Sequence, residues 1–330
     1  MRAWLAVVAS AAFLVAALLL GVAFGTEPIA LSHLFDGPDS LERAALLEAR
    51  LPRVLLGAIA GGGLAAVGVA FQAVLRNPLA EPYVLGVSGG SALGATLAIL
   101  AGAAGTTLAG ASLVPLAALA GGIGATVLVY SLVRAGGAAS GASILLAGVV
   151  VNAIASAVIT FMKTLVSASK AQELLFWLMG FLDVQSWRQI AFVAVYVFAG
   201  VAILLFDAAR LNVLALGDDG AAHLGVDVRA LERRTFFACS AIVGGIVSLT
   251  GLIGFIGLVV PHALRRLVGP DVRVLLPASL LAGGGALVLC DLVSRLAFRW
   301  IHTEPPVGAV TALLGGPLFL VLLRRRALRF

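Results

Sequence analysis

Ten apolar runs, most of them near the length of a membrane-crossing helix, constrain this chain more than any other feature. They cover approximately Ala3 to Gly25, Val54 to Leu75, Val84 to Ala104, Ser112 to Val133, Ser143 to Met162, Ile190 to Phe206, Thr235 to Thr250, Leu252 to Val268, Val274 to Ser294 and Val307 to Leu323. Crossing about 30 Å of hydrocarbon takes roughly 20 helical residues. The runs are continuous rather than alternating, which excludes a β-barrel. Composition agrees, with 61% hydrophobic and only 12% charged residues, where soluble domains carry about 25% charge. The expected fold is an all-α polytopic membrane protein of about ten transmembrane helices, forming one domain over 1–330. The seventh and eighth runs are short, and only Gly251 and Gly254 mark the division between them.

The first run follows Arg2 but exceeds the core of a signal peptide, so it is expected to be a retained helix. Ten spans put both termini on one side, and basic residues choose that side. Placing Arg2, Arg76, Arg134, Arg210, Arg229, Arg233, Arg234, Arg265, Arg266, Arg273 and the tail Arg324, Arg325, Arg326 and Arg329 together collects fourteen of the 22 basic residues. That side is expected to be cytoplasmic. The other receives Glu27, Asp36, Asp39, Glu42, Glu48, Glu173, Asp183 and Glu304. The net charge of +6 therefore reads as positive-inside bias, suited to membrane lipid and not to nucleic acid.

Between the second and third runs lies RNPLAEPYVLGVSGGSALGA, Arg76 to Ala95. Pro78 and Pro82 end one helix and delay the next. Gly86, Ser88, Gly89, Gly90, Ser91 and Gly94 then leave little side-chain bulk, which serves either close helix packing or passage of a ligand. Cys239 and Cys290 fall within runs and suggest no disulfide framework. The four histidines lack metal-ligand spacing, and no cofactor site is visible. Neither lysine, Lys163 nor Lys170, follows a glycine as a phosphate-binding loop requires, so an ATP-driven process would need a separate motor. Asp291 is the one good candidate for a deep carboxylate. Its spacing of four from Arg295 predicts a structural ion pair more than a proton relay.

Several blocks carry a resemblance: RLPRVLLGAIAGGGLAAVG, RNPLAEPYVLGVSGGSALGA, ILLAGV, FWLMG, LNVLALGDDGAAHLGVDV, GFIGLVVPH, and DLVSRLAF followed by PPVGAVTALLGGPLF. From about Arg50 to Leu323 the chain resembles the FecCD family, permease subunits of type II ATP-binding cassette (ABC) importers for iron siderophores, haem and cobalamin. The resemblance implies a homodimer of ten-helix subunits, two cytosolic ABC ATPase subunits, a periplasmic binding protein and a bacterial inner-membrane location. It also implies that spans two to five and seven to ten are pseudo-repeats.

The resemblance assigns roles to residues as well. The cytosolic loop over about 207–234 would hold the helix that docks into the ATPase, with Leu216, Gly217, Asp218, Ala221, Leu224 and Gly225. Asp218 and Asp219 suit a helix N-terminus and Gly225 its stop; a plain connector is the alternative. Arg50, Arg53 and Arg295 on the outer face would meet carboxylates of the binding protein, or else snorkel to headgroups. Asn77, Leu79, Ser140 and Ser143 lie where the family narrows its cytosolic gate, although Gly141 and Ala142 stand where the cobalamin-type relative has polar residues. Gly89 and Ser91, with the stripe Asn152, Ser156 and Thr160 at intervals of four, are path candidates; interhelical hydrogen bonding explains that stripe nearly as well. The expected function is import of a metal chelate, iron siderophore first and cobalamin or haem next. An ion-coupled secondary transporter is the alternative.

Overall fold

The computed structural model describes residues 2–27, 29–37, 39–103, 107–108, 111–135 and 141–327. Helix α1 (Arg2–Ala23) is followed by a 3₁₀ turn at Leu31–Phe35. The short α2 (Leu41–Ala44) continues through a π-helical turn at Ala45–Arg50 into α3 (Leu51–Val74). There follow α4 (Val87–Leu100), α5 (Leu113–Ala135), α6 (Gly141–Thr164), α7 (Ala168–Met179) and α8 (Trp187–Phe206). The small helices α9 (Ala208–Leu214) and α10 (Asp218–His223) lead to α11 (Val228–Thr250), α12 (Ile256–Val268), α13 (Val272–Ile301) and α14 (Val307–Ala327).

Each of the ten apolar runs thus contains a helix. Among the described residues, six helices are long and apolar enough to cross a membrane by those criteria alone. The second span is longer than expected. It starts at Leu41, where the Ser40 hydroxyl accepts from the Arg43 N–H, and its charged first turns conceal it from a hydropathy reading. The third and eighth are shorter: α4 has 14 residues and α12 has 13, about 20 Å each. Gly86 at φ 84° and Phe255 at φ 69° set their starts, both in the left-handed region that a continuing helix does not visit. Helix α7 was not expected. It is amphipathic, with Leu174 buried and Gln172 and Glu173 exposed, so its mean hydropathy conceals it.

Helix α3 is the axis of the bundle, buried on all sides from Ala60 to Gln72. Contacts recur in two sets. Helix α3 lies on α13 as α11 lies on α5, α12 meets α3 as α4 meets α11, and the neighbours α4–α5 and α5–α6 match α12–α13 and α13–α14. This is the contact pattern of two four-helix repeats. Lipid provides no hydrophobic drive between helices, so close packing must hold them. A Cβ on Gly61 would stand 2.3 Å from the Gly283 carbonyl oxygen of α13, and one on Gly90 equally close to that of Gly121 on α5.

Candidate functional site

The chain between α8 and α11 is built to present α10 rigidly. Asp207, 1% exposed, accepts from both Nε and Nη2 of Arg234 and from Nη1 of Arg210, which locks the end of α8 to α11. One helix on, the Asn212 amide donates to Asp271 at 2.7 Å and accepts from the Val272 N–H at 2.8 Å, joining α9 to the start of α13. Arg273 beside Asp271, with help from Asn212, holds that carboxyl down at about 2. The third tether is an ion pair from Arg76, just past α3, to Asp218 in the first turn of α10.

These tethers leave an apolar surface uncovered. Ala221 is fully buried and seats α10, while Leu216 and Leu224 on either side of it are 67% and 63% exposed. Gly217 at φ 98° and Gly225 at φ 80° form the turns that bound the helix. Gly217 is the N-cap, and Asp218 and Asp219 occupy the first turn instead of capping it. Their charge still favours the helix N-terminus. A cleft of about 610 Å³ opens beside α10, lined by Asp218, Asp219, Asp227, Glu232, Arg134 and Arg229 among others. Burial, and after it the Asp218 carboxylate, push Glu232 above its ordinary value against the pull of Arg134 and Arg76.

Arg76 also opens the first of two unwound segments that lie against each other. The Asn77 side chain accepts from the Leu79 N–H at 2.9 Å, an Asx turn that leaves Leu79 44% exposed. Further along, Glu81 accepts from the Phe255 N–H at 2.7 Å and the Tyr83 hydroxyl from the Ile253 N–H at 2.9 Å. Side chains of the first break thus satisfy donors that the second break frees, as an unwound backbone at membrane depth requires. Asn152 of α6 completes the arrangement, donating to the Tyr83 carbonyl at 2.7 Å and accepting from the Gly89 N–H at 3.0 Å. The first member of the expected stripe is therefore bound to the α4 break. Ser156 and Thr160 are exposed on α6. Ser91 is fully buried and faces Gly122 of α5. In the protomer its surface is a helix crossing. Ser143 is half-buried, and Ser140 lies outside the described residues.

The face at the far end of α1 gathers Arg50, Arg53 and Arg295. Arg53 donates to Asp291 and to Glu304, each at 2.9 Å, and Arg295 donates to Asp291 at 2.9 Å. Arg295 also reaches the carbonyls of Gly21 and Phe24, while Arg50 reaches those of Val22, Ala23 and Glu27. These guanidiniums close the C-terminus of α1, whose last carbonyls have no helical partner. Within the protomer the Arg53 and Arg295 side chains are thus engaged in ion pairs. The predicted Asp291–Arg295 pair is present. Arg53 and Glu304, from α3 and the α13–α14 turn, are the members that spacing does not reveal.

Broken helices at two corresponding places in paired repeats, with a rigidly held apolar knob on one face, define a polytopic transport protein. The chain belongs to the FecCD transport family, whose model matches residues 13–325. It is 42% identical over 286 residues to the cobalamin import system permease protein BtuC of Halobacterium salinarum, covering 85% of this chain and 73% of that one. To the hemin transport system permease protein HmuU of Yersinia pestis it is 36% identical, covering 85% and 83%. A solved structure of a transporter assigned to the metal-chelate type of ABC transporters, in an inward-facing conformation, superposes with a TM-score of 0.86. Identity there is 31%, over 97% of this chain and 98% of that one. The protein is a multi-pass membrane permease of an ABC importer and not itself an enzyme; ATP hydrolysis resides in separate subunits.

Proposed function

We propose that this permease imports a metal chelate, an iron siderophore first and cobalamin or haem next, as a homodimer with two ATPase subunits and a binding protein. The relatives' names differ in cargo, and the described path residues show no recognition chemistry of their own, so selection falls to the binding protein. Both termini and α10 face the cytoplasm of a bacterial inner membrane, following the basic residues. The binding protein then meets the opposite face. Ser156 and Thr160 line the path where the outward face of α6, with Ile154 59% exposed, adjoins its dimer mate.

The observation that carries the reading is the tethered α10 with Leu216 and Leu224 uncovered. Docking these side chains in an ATPase cleft would bury them, and movement of α10 would pull through Arg76 on the loop of Asn77 and Leu79. That loop touches the second break through Glu81 and Tyr83, so one displacement reaches both short helices. Leu224→Asp places a charge in the docked surface at a desolvation cost on the order of several kcal/mol, and the ATPase should be lost on purification. Arg76→Ala should retain the ATPase and its hydrolysis while lowering transport per ATP. An undiminished complex and transport for Leu224→Asp would move the coupling role elsewhere.

A further inference from the structure

An apolar groove of about 1020 Å³ runs along the outside of the protomer between α8 and α11. Val195, Tyr196, Ala199 and Phe206 of α8 line it with Phe237 of α11. Its floor is closed, since a Cβ on Gly200 would stand 2.5 Å from Ile242 of α11. From Val195 to Phe206 the helix rises about 16 Å, close to half the ~30 Å hydrocarbon thickness. The groove is one leaflet deep.

Its charge is confined to one end. Arg233 and Arg234 line the groove there, and Arg210 lies with its guanidinium 5.0 Å from the Phe206 ring centre. Asp207 is buried and taken up by Arg210 and Arg234, and Asp227, the N-cap of α11, also acts on the charge of Arg234. Three cations against these two anions leave one net positive charge at the level where headgroups sit. Arg233 is exposed. An apolar trough of leaflet depth ending in a net positive cluster of guanidiniums complements a single class of molecule, an acyl chain that carries a phosphate.

We propose that the α8–α11 groove binds one anionic glycerophospholipid. Its acyl chain lies along Val195 to Phe206, and its phosphate meets Arg233 and the N–H groups of Arg210 and Arg234 that Asp207 leaves unused. The bound lipid abuts Asp207, the residue that fixes α9 and, through it, α10. Free phosphate would engage the arginines and make no use of the trough.

The test uses the full-length chain in mild detergent with equimolar phosphatidylglycerol and phosphatidylcholine of identical acyl chains, read by native mass spectrometry. The wild type should retain phosphatidylglycerol at least about fivefold over phosphatidylcholine. Arg233→Ala should cut that preference about fivefold, the factor corresponding to about 1 kcal/mol for one basic residue at an anionic surface. Ala199→Trp fills the trough and should reduce retention of both lipids severalfold with the unfolding temperature kept; Ala202→Phe replaces it should that variant misfold. Excess inorganic phosphate should leave lipid retention in place. Equal retention of the two lipids, an unchanged preference in Arg233→Ala, unchanged retention in the filled groove, or displacement by phosphate alone would each overturn the proposal. None of these readings depends on transport.

Discussion

Removing the carboxylate of Asp291 should destabilise the protein more than any other single charge change on the face at the far end of α1. Its side chain is 1% exposed, and those of its partners Arg295 and Arg53 are 4% and 14% exposed. In Asp291→Ala, Arg53 keeps Glu304, but Arg295 retains as hydrogen-bond partners only the carbonyls of Gly21 and Phe24 and has no carboxylate in direct contact. Breaking a buried pair by deleting one partner costs about 3–5 kcal/mol, mostly for the charge left behind. Arg295→Met removes that charge, so the double variant should cost about 1–3 kcal/mol less than the sum of the two singles. Unfolding in mixed micelles, titrated with a denaturing detergent, measures all three. A loss below about 1 kcal/mol for Asp291→Ala, or strict additivity, would refute the reading of this cluster as a structural lock.

Asn152→Leu removes the partner of both the Tyr83 carbonyl and the Gly89 N–H, and should cost about 1–3 kcal/mol for each polar group left unsatisfied. Faster hydrogen exchange confined to 83–89 would identify the break as the site of the loss. Because Asp271 is held at about 2 in the folded protein against an ordinary 3.8, its contribution is complete above about pH 4 and is lost as pH falls toward 2. Stability of Asp271→Asn should be flatter than wild type across that window, as followed by acid titration of intrinsic fluorescence. For orientation, single cysteines at His223 and Arg134, with Cys239 and Cys290 replaced, should resist impermeant thiol reagents in intact cells, whereas one at Asp39 should react; the reverse pattern would invert the topology.

Much of the fold is legible because lipid imposes one rule on every span, and hydropathy reads it directly. That reading fails where polarity has a structural purpose. Glu42, Arg43, Glu48, Arg50 and Arg53 mask the first turns of the second span, and the polar face of α7 hides a whole helix. The helix breaks were visible at Pro78 and Pro82, but their mutual satisfaction was not, since Glu81 and Phe255 lie 174 residues apart. Distance in sequence also separates what was read at the sites from what was missed. Asp291 and Arg295 share a helix face at a spacing of four, so their pair could be inferred; Arg53 is 238 residues from Asp291, and only its position at a helix end suggested a role. The α10 motif showed its apolar face and its glycine stop in one short stretch. Its tethers through Arg76, Asn212 and Arg234 come from three other elements and have no local signature.

In the proposed mechanism the permease moves its cargo by a motor carried on another polypeptide docked at α10. Proteoliposomes assembled from the permease, its ATPase and its binding protein loaded with a radiolabelled ferric siderophore or cobalamin measure this directly. Accumulation should require ATP on the side of α10, be lost with Leu224→Asp, and be indifferent to collapse of proton and sodium gradients. Accumulation by the permease alone, driven by an imposed ion gradient and insensitive to the ATPase, would contradict it.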